Sequence, residues 1–239
     1  MKTFFKKNFI FLFLLIMVFV LYASTTHSFI LNIIFKPLIV ISLLAYLFIE
    51  AGHKGKAVSF AVSGLILSLL GDVLLIFQEQ HSLFFMGGLA AFLLAHLSYI
   101  LYYVRSAETN AVKKINYKSI FIVLMVIYGI VFCLLLYNNL GELKVPVFVY
   151  TTVLISMNIF ALNRYGKVND ESFKLIMIGA VCFALSDSLL AVNKFLIAIP
   201  IAGVWILAAY AAAQYFITKG VLNSTSALSP IPKIGDLKK

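Results

Sequence analysis

The stretch that decides the fold lies at residues 57 to 77 and reads AVSFAVSGLILSLLGDVLLIF. It contains a single charged residue, Asp72. As a helix it is long enough to cross a bilayer core of about 30 Å, which takes about 20 apolar residues. Seven other runs resemble it, and the sequence therefore predicts an all-α, polytopic transmembrane helix bundle with about eight spans. Those runs occupy residues 8 to 24, 30 to 50, 84 to 105, 119 to 138, 145 to 163, 173 to 193 and 197 to 219.

The composition of the whole chain supports this class. Of its 239 residues, 63% are hydrophobic and 12% are charged, and the mean hydropathy is +1.05. Soluble globular domains average about half apolar and about a quarter charged residues. We therefore predict a single transmembrane bundle at residues 1 to 220. Residues 221 to 239 contain Asn, Ser, Pro and Lys without apolar periodicity, which predicts a flexible cytoplasmic tail.

The basic residues predict the orientation, because cytoplasmic loops retain Lys and Arg. Of nineteen Lys and Arg residues, only Lys36, Lys144 and Lys194 fall on the opposite side of the predicted membrane. We therefore expect an integral protein of the bacterial inner membrane with both termini in the cytoplasm. The net charge of +10 follows from this topology and from anionic headgroups, so no nucleic-acid partner is expected. The first run, which follows several lysines, also resembles a secretory signal.

Two acidic residues lie well inside apolar runs, Asp72 in the third span and Asp187 in the seventh. Intramembrane carboxyl groups are costly and usually functional, although a hydrogen-bonded pair also holds helices together. Both lie about fifteen residues into spans of the same direction, so we expect them to face each other at similar depth. The flanking sequences LLGDVLL (69 to 75) and ALSDSLL (184 to 190) indicate a parallel internal repeat of spans 3–4 and 7–8.

Other polar residues recur at helical spacing. His96 and Tyr99 share a face of the fourth span, and Tyr210 and Gln214 share a face of the eighth. A bundle that turns these faces inward has a polar pocket ringed by aromatic side chains. Each of these residues also suits a structural role, since polar side chains hydrogen-bond across helices in membranes. Lys36, at the outer start of the second span, either reaches the interface or binds a phosphate.

No metal or cofactor site is predicted. His27, His53 and His81 fall in loops or at helix ends, which leaves His96 alone, and the cysteines lack CxxC spacing. A zinc-dependent amidohydrolase normally needs several histidines and is therefore poorly supported. A small proton-coupled transporter that uses the same aspartates is the main alternative to an enzyme.

The chain resembles the YhhN-like lysoplasmalogenase family in the order of its motifs. These are KPL at 36 to 38, SLLGD at 68 to 72, Gly88 with Phe92, His96 and Tyr99, Tyr150 with Met157, Gly179-Ala180 with Ser186-Asp187, and Tyr210 with Ala213-Gln214. The resemblance covers nearly the whole chain. It implies that a lysophospholipid substrate, drawn from membrane lipid, is hydrolysed at its vinyl ether bond without a cofactor. The products are a fatty aldehyde and glycerophosphoethanolamine or glycerophosphocholine.

Two intramembrane aspartates suit this chemistry. Vinyl ether hydrolysis begins with protonation of a carbon and gives an oxocarbenium ion, which a carboxylate stabilises. We therefore predict Asp72 and Asp187 as a catalytic pair in which one holds its proton near neutral pH and the other is ionised. The sequence does not decide which is the acid, but Ser186 and Ser188 favour Asp187 as the base because they can keep it solvated.

The remaining polar residues of the spans are the predicted substrate-binding groups. Lys36 is predicted to lie near the lipid phosphate, and four residues are predicted to surround the ether: His96, Tyr99, Tyr210 and Gln214. A pocket at this depth admits a single-chain lipid sideways from the bilayer.

Overall fold

A computed structural model describes residues 2–26, 28–51, 56–107 and 118–226, which form eight α-helices. Each predicted span overlaps one of these helices, and the all-α prediction is confirmed. Two short 3-10 turns, Tyr137–Asn139 and Gly141–Leu143, join the fifth helix to the sixth. The helices are α1 (Lys2–Thr25), α2 (Phe29–Ala51), α3 (Lys56–Ile76), α4 (Ser82–Arg105), α5 (Lys118–Leu136), α6 (Lys144–Leu162), α7 (Asp170–Phe195) and α8 (Ala202–Ser226).

Side-chain caps define where α4 and α7 begin. The His81 Nδ1 atom accepts a hydrogen bond from the backbone N–H of Leu83 at 3.1 Å. The Asn169 Oδ1 atom accepts one from the backbone N–H of Ser172 at 2.7 Å. Each cap satisfies a donor that the first turn of a helix leaves unpaired. The helices that carry His96 and Asp187 therefore have defined starting points.

Seven of the helices in the described part of the chain, α1 to α7, are long and apolar enough to cross a membrane. The chain is an integral membrane protein. The eighth predicted span exists as α8, but α8 is not among these seven. Its hydropathy is lowered by Tyr210, Gln214 and Lys219. Tyr210 and Gln214 are buried in the bundle, so these polar side chains face the protein interior.

The helices pack as neighbours around a central aromatic core. The most extensive contacts join α7 to α8 and α3 to α4, and α6 packs against both α4 and α7. The core between them includes Phe92, Tyr99, Phe183 and Tyr210. In contrast, α5 packs mainly on α6 and exposes large apolar side chains along its length, as a lipid-facing helix does. The predicted internal repeat is not shown by this packing and stays a prediction.

The C-terminal end of α8 differs from the predicted domain boundary. The helix continues through residues 221–226, which the sequence assigned to the tail. The rest of that tail, residues 227–239, lies outside the described residues, as do His27 and His53.

Gly179 sets the close approach of α7 to α8. A Cβ atom at this position lies 2.9 Å from the carbonyl oxygen of Ala213 and 2.7 Å from Ile217 Cγ1. Because a helix carbonyl cannot rotate away, we predict that Gly179→Ala destabilises the detergent-solubilised protein by about 1–3 kcal/mol. Thermal unfolding measures this as a lower Tm. The control is Gly87→Ala, where a Cβ meets only the movable Leu74 side chain at 3.3 Å. Equal losses in both variants contradict this account of the α7–α8 contact.

Candidate active site

Asp72 lies in a buried polar network formed by α2, α3, α4 and α8. Its Oδ2 atom accepts a hydrogen bond from the Tyr210 hydroxyl at 2.6 Å, and its Oδ1 atom lies 3.6 Å from Lys36 Nζ. Gln214 extends the network, because its Nε2 atom donates to the Tyr210 oxygen at 3.2 Å. The Tyr99 hydroxyl donates to Gln214 Oε1 at 2.7 Å. An ammonium group beside a carboxyl group that is only 1% exposed stabilises the carboxylate form.

Asp187, on α7, meets a different set of groups. Its Oδ2 atom accepts a hydrogen bond from the Tyr150 hydroxyl at 2.7 Å and lies 3.7 Å from His96 Nε2. Within the described residues, no Lys or Arg lies at ion-pair distance from this carboxyl group. The His96 ring packs edge-on against Tyr150 and Phe183, with ring centroids 5.4 and 4.8 Å away. The Asp187 carboxyl group therefore lies near aromatic rings and has one hydroxyl donor, Tyr150. Among the described residues it has no cationic partner comparable to the Lys36 ammonium group beside Asp72.

His96 is fully buried, and neither of its ring nitrogens has a hydrogen-bond partner among the residues described. An unsatisfied buried polar group costs about 1–3 kcal/mol, so native structures contain few of them. Asp187 Oδ2, 3.7 Å from His96 Nε2, lies just beyond hydrogen-bond distance. A small movement of either side chain joins the two groups.

Both aspartates line one cavity of about 370 Å³, called here the polar chamber. We expected the two side chains to face each other, and both lie in the wall of this cavity. Lys36 and Tyr210 also line the chamber. Further polar side chains in its wall are Asn32, Gln78, Glu79, Ser186 and Asn193.

A narrow apolar cleft of about 50 Å³ adjoins the polar chamber. Its wall is mainly aromatic and aliphatic, with residues Phe85, Leu89, Phe132, Leu154 and Phe195 among them. The cleft and the chamber share four lining residues, which are Leu75, Phe92, Asp187 and Leu190. Asp187 is thus the polar group at the junction of a water-accessible chamber and an apolar cleft.

The predicted substrate-binding residues divide into two groups. Lys36 and Tyr210 line the polar chamber, whereas His96, Tyr99 and Gln214 line neither the chamber nor the cleft. These three side chains are fully buried behind the aspartates. The prediction that they surround the ether is therefore not supported. Gln214 contacts the chamber residue Tyr210, and His96 lies beside Asp187 and Tyr150.

The two serines that flank Asp187 do not bond to its carboxyl group. The Ser186 hydroxyl donates to the carbonyl oxygen of Ile206 at 3.0 Å, and the Ser188 hydroxyl bonds to the Tyr128 hydroxyl. These bonds hold α7 against α8 and α5. The reason for preferring Asp187 as the base is therefore removed.

Tyr150 is a residue of the site for which no role was predicted from the sequence. It belongs to the motif series of the family resemblance, but nothing in its surroundings on α6 indicated a carboxyl partner. The structure places its hydroxyl on Asp187, whereas Tyr210 bonds to Asp72. Each aspartate thus has one tyrosine donor, from α6 in one case and from α8 in the other.

Fold and site together define a class: an integral membrane helical bundle in which a buried and a partly buried carboxyl group line one shared cavity. Comparison with known sequences identifies the family. The chain belongs to the YhhN family, whose sequence profile matches residues 31–221. The resemblance seen in the motif series is confirmed.

Similar curated proteins carry the name lysoplasmalogenase. Two of them, from Mycobacterium bovis and Mycobacterium tuberculosis, are each 31% identical over 167 residues, which cover 70% of this chain and 61% of theirs. A human protein named lysoplasmalogenase TMEM86B is 28% identical over 198 residues, 83% of this chain and 76% of its own. The chain thus spans less than two thirds of the length of the mycobacterial relatives. No solved structure matches the chain.

Proposed function

We propose that this protein hydrolyses the vinyl ether bond of a lysoplasmalogen in the membrane, releasing a fatty aldehyde and a glycerophospho-ethanolamine or -choline. The observation that carries the proposal is the position of Asp187, where the polar chamber meets the apolar cleft. A lysoplasmalogen has its vinyl ether at the corresponding point, between a polar headgroup and one hydrocarbon chain. The relatives named lysoplasmalogenase support the same substrate class.

The two cavities support a position for the substrate. The part of its hydrocarbon chain next to the ether enters the apolar cleft beside residues such as Phe132 and Leu154, and its glycerophosphate group lies in the polar chamber. Lys36 reaches the chamber and supplies a cation for the phosphate, while Asn32 and Asn193 offer amide groups for the glycerol hydroxyl. This orientation sets the ether beside Asp187.

Asp187 is the proposed acid. Lys36 faces Asp72, and no Lys or Arg among the described residues faces Asp187, so the pair divides into an ionised Asp72 and a protonated Asp187. The proton of Asp187 passes to the vinyl carbon that is not bonded to oxygen. The double bond supplies the electron pair for the new C–H bond, and an oxocarbenium ion forms at the carbon of the ether.

Asp72 is the proposed base. Its negative charge stabilises the oxocarbenium ion, and it takes a proton as water attacks the ether carbon. The resulting hemiacetal then collapses to the aldehyde. In that step the hemiacetal hydroxyl returns its proton to Asp187, and protonated Asp72 supplies a proton to the departing glycerol oxygen. Both carboxyl groups are restored, and one water molecule is consumed.

The buried tyrosines and their partners are proposed as positioning residues. The hydrogen bonds from Tyr210 to Asp72 and from Tyr150 to Asp187 fix the direction in which each carboxyl group presents its second oxygen. Gln214 and Tyr99 hold Tyr210 in turn. Since a misplacement of about 1 Å lowers rates severely, these residues matter without touching the substrate.

Isotope labelling tests the proposed sequence of bonds. In D₂O, with the aldehyde trapped at once by borohydride, we expect one deuterium at the carbon next to the former aldehyde carbon. In H₂¹⁸O we expect the hydroxyl group released on the glycerol to keep ordinary oxygen, because water attacks the vinyl ether carbon. Mass spectrometry of the two products measures both labels. Heavy oxygen on the glycerol, or no carbon-bound deuterium in the trapped product, contradicts protonation of the vinyl carbon.

A further inference from the structure

A cavity of about 380 Å³ lies at the basic end of the bundle, where α4 and α6 end and α5 and α7 begin. Three basic side chains line it, Lys118 at the start of α5 and Arg164 and Lys167 after α6. Arg164 contacts Ser172 on α7, and Asp187 lies fifteen residues further along that helix. At 1.5 Å per residue this separates the cavity from the candidate active site by about 22 Å.

Arg164 is the central feature of this cavity. It is 1% exposed, and its Nη2 atom donates to Ser106 Oγ at 3.3 Å and Ser172 Oγ at 3.2 Å. Its Nε and Nη1 atoms have no hydrogen-bond partner among the described residues. The guanidinium carbon also lies over the rings of Tyr102 and Tyr103, 5.4 and 5.7 Å from their centroids. The Arg164 side chain is thus held in place, while its Nε and Nη1 donors make no hydrogen bond to the described residues.

No carboxylate in the described part of the chain pairs with Arg164. The acids nearest in sequence, Asp170 and Glu171, are exposed on the first turn of α7. Burial lowers the pKa of Arg164 below its usual value, which reflects the cost of a charge without an ionic partner. A buried charge is normally paired, so an anion is expected beside this side chain, and the described residues supply none.

We propose that Arg164, together with Lys118 and Lys167, binds a phosphate group at the basic end of the bundle. A guanidinium group presents planar N–H donors that match two phosphate oxygens, and Nε and Nη1 are buried donors without a partner among the described residues. The lysines add two further positive charges at the same cavity. Serine hydroxyls and aromatic rings already fix the guanidinium group, so little side-chain freedom is lost when the anion binds.

The same chemistry serves two sources of phosphate, a lipid headgroup or a free phosphate in solution. The cavity borders the start of α5, whose Ile120 and Val123 side chains are exposed as a lipid-facing surface. A phospholipid headgroup at this level therefore reaches the cavity from the membrane, and inorganic phosphate reaches it from the aqueous side.

Thermal unfolding of the full-length protein in uncharged detergent tests the proposal and distinguishes the sources. The probes are inorganic phosphate, short-chain phosphatidic acid and, as a control, diacylglycerol of the same chain length. A saturable rise in Tm with inorganic phosphate supports a site that accepts free phosphate. A rise with phosphatidic acid alone supports a headgroup site. No rise with either probe, or an equal rise with diacylglycerol, overturns the proposal.

Charge-matched variants locate the binding. We expect Lys118→Gln with Lys167→Gln to weaken binding at least about tenfold, since each charge-assisted hydrogen bond contributes about one factor of ten or more. Neither side chain is fully buried, so the fold is retained. The control is Lys56→Gln with Lys174→Gln, which removes the same charge from two exposed positions outside this cavity. If the control variant loses as much phosphate binding, the binding depends on general surface charge and the proposed site is wrong. This readout does not depend on hydrolysis.

Discussion

Asp187→Asn is expected to lower kcat for lysoplasmalogen hydrolysis by about 10²–10⁴-fold, the usual contribution of a positioned acid. Asparagine has nearly the same shape and still accepts the Tyr150 hydrogen bond, but it cannot give a proton to the vinyl carbon. KM is expected to change little, because the chain and headgroup contact other residues of the cleft and chamber. Steady-state kinetics in detergent or in vesicles measure the two constants separately.

Tyr150→Phe is the matched control for this variant. It keeps the carboxyl group of Asp187 and removes only the hydrogen bond that orients it. We expect a kcat loss of about tenfold, corresponding to one hydrogen bond to a charged or polar partner. If Asp187→Asn keeps kcat within a few fold of the wild type while Tyr150→Phe abolishes activity, Asp187 is not the acid.

Asp72→Asn is expected to lower kcat by about 10²–10⁴-fold as well and also to lower the stability of the protein. The second effect follows from the ion pair, because the change leaves the largely buried Lys36 ammonium without its partner. Breaking a buried pair on one side costs about 3–5 kcal/mol. Activity and thermal unfolding of the same preparation measure both effects.

A double-variant cycle separates the two effects of Asp72. Adding Lys36→Met to Asp72→Asn removes the unpaired charge, so we expect the Tm to recover while kcat stays low. Lys36→Met alone is expected to raise KM through the lost phosphate contact and to lower kcat through Asp72, which the ammonium faces at 3.6 Å. Recovery of activity in the double variant would show that Asp72 only balances the charge of Lys36.

The helices could be predicted because each span is a long apolar run with polar residues at its ends. The third span, residues 57 to 77, illustrates this, because Asp72 is its only charged residue. A run of 21 residues of this kind strongly indicates a transmembrane helix, since a helix pairs its own backbone groups within the bilayer. The eighth helix was harder to place, because Tyr210 and Gln214 reduce its apolar character and face inward. Its end was also missed, since residues 221–226 lack apolar periodicity but continue the helix.

The candidate site could be predicted in part. Rare intramembrane acids pointed to Asp72 and Asp187, and the structure puts both at one cavity. Helical spacing showed that His96 and Tyr99 share a buried face, but spacing cannot tell which neighbouring helix that face meets. For the same reason the Tyr150 contact with Asp187 was missed: it depends on the rotation of α6 against α7.

The central claim is tested most directly by aldehyde release from a defined lysoplasmalogen. The assay uses the purified, detergent-solubilised protein beside the Asp72→Asn and Asp187→Asn variants, each shown to be folded by its thermal transition. The account predicts steady release by the wild type and loss of release in both variants. No release by folded wild-type protein, or undiminished release by both variants, would contradict it and favour a transport role for the two aspartates.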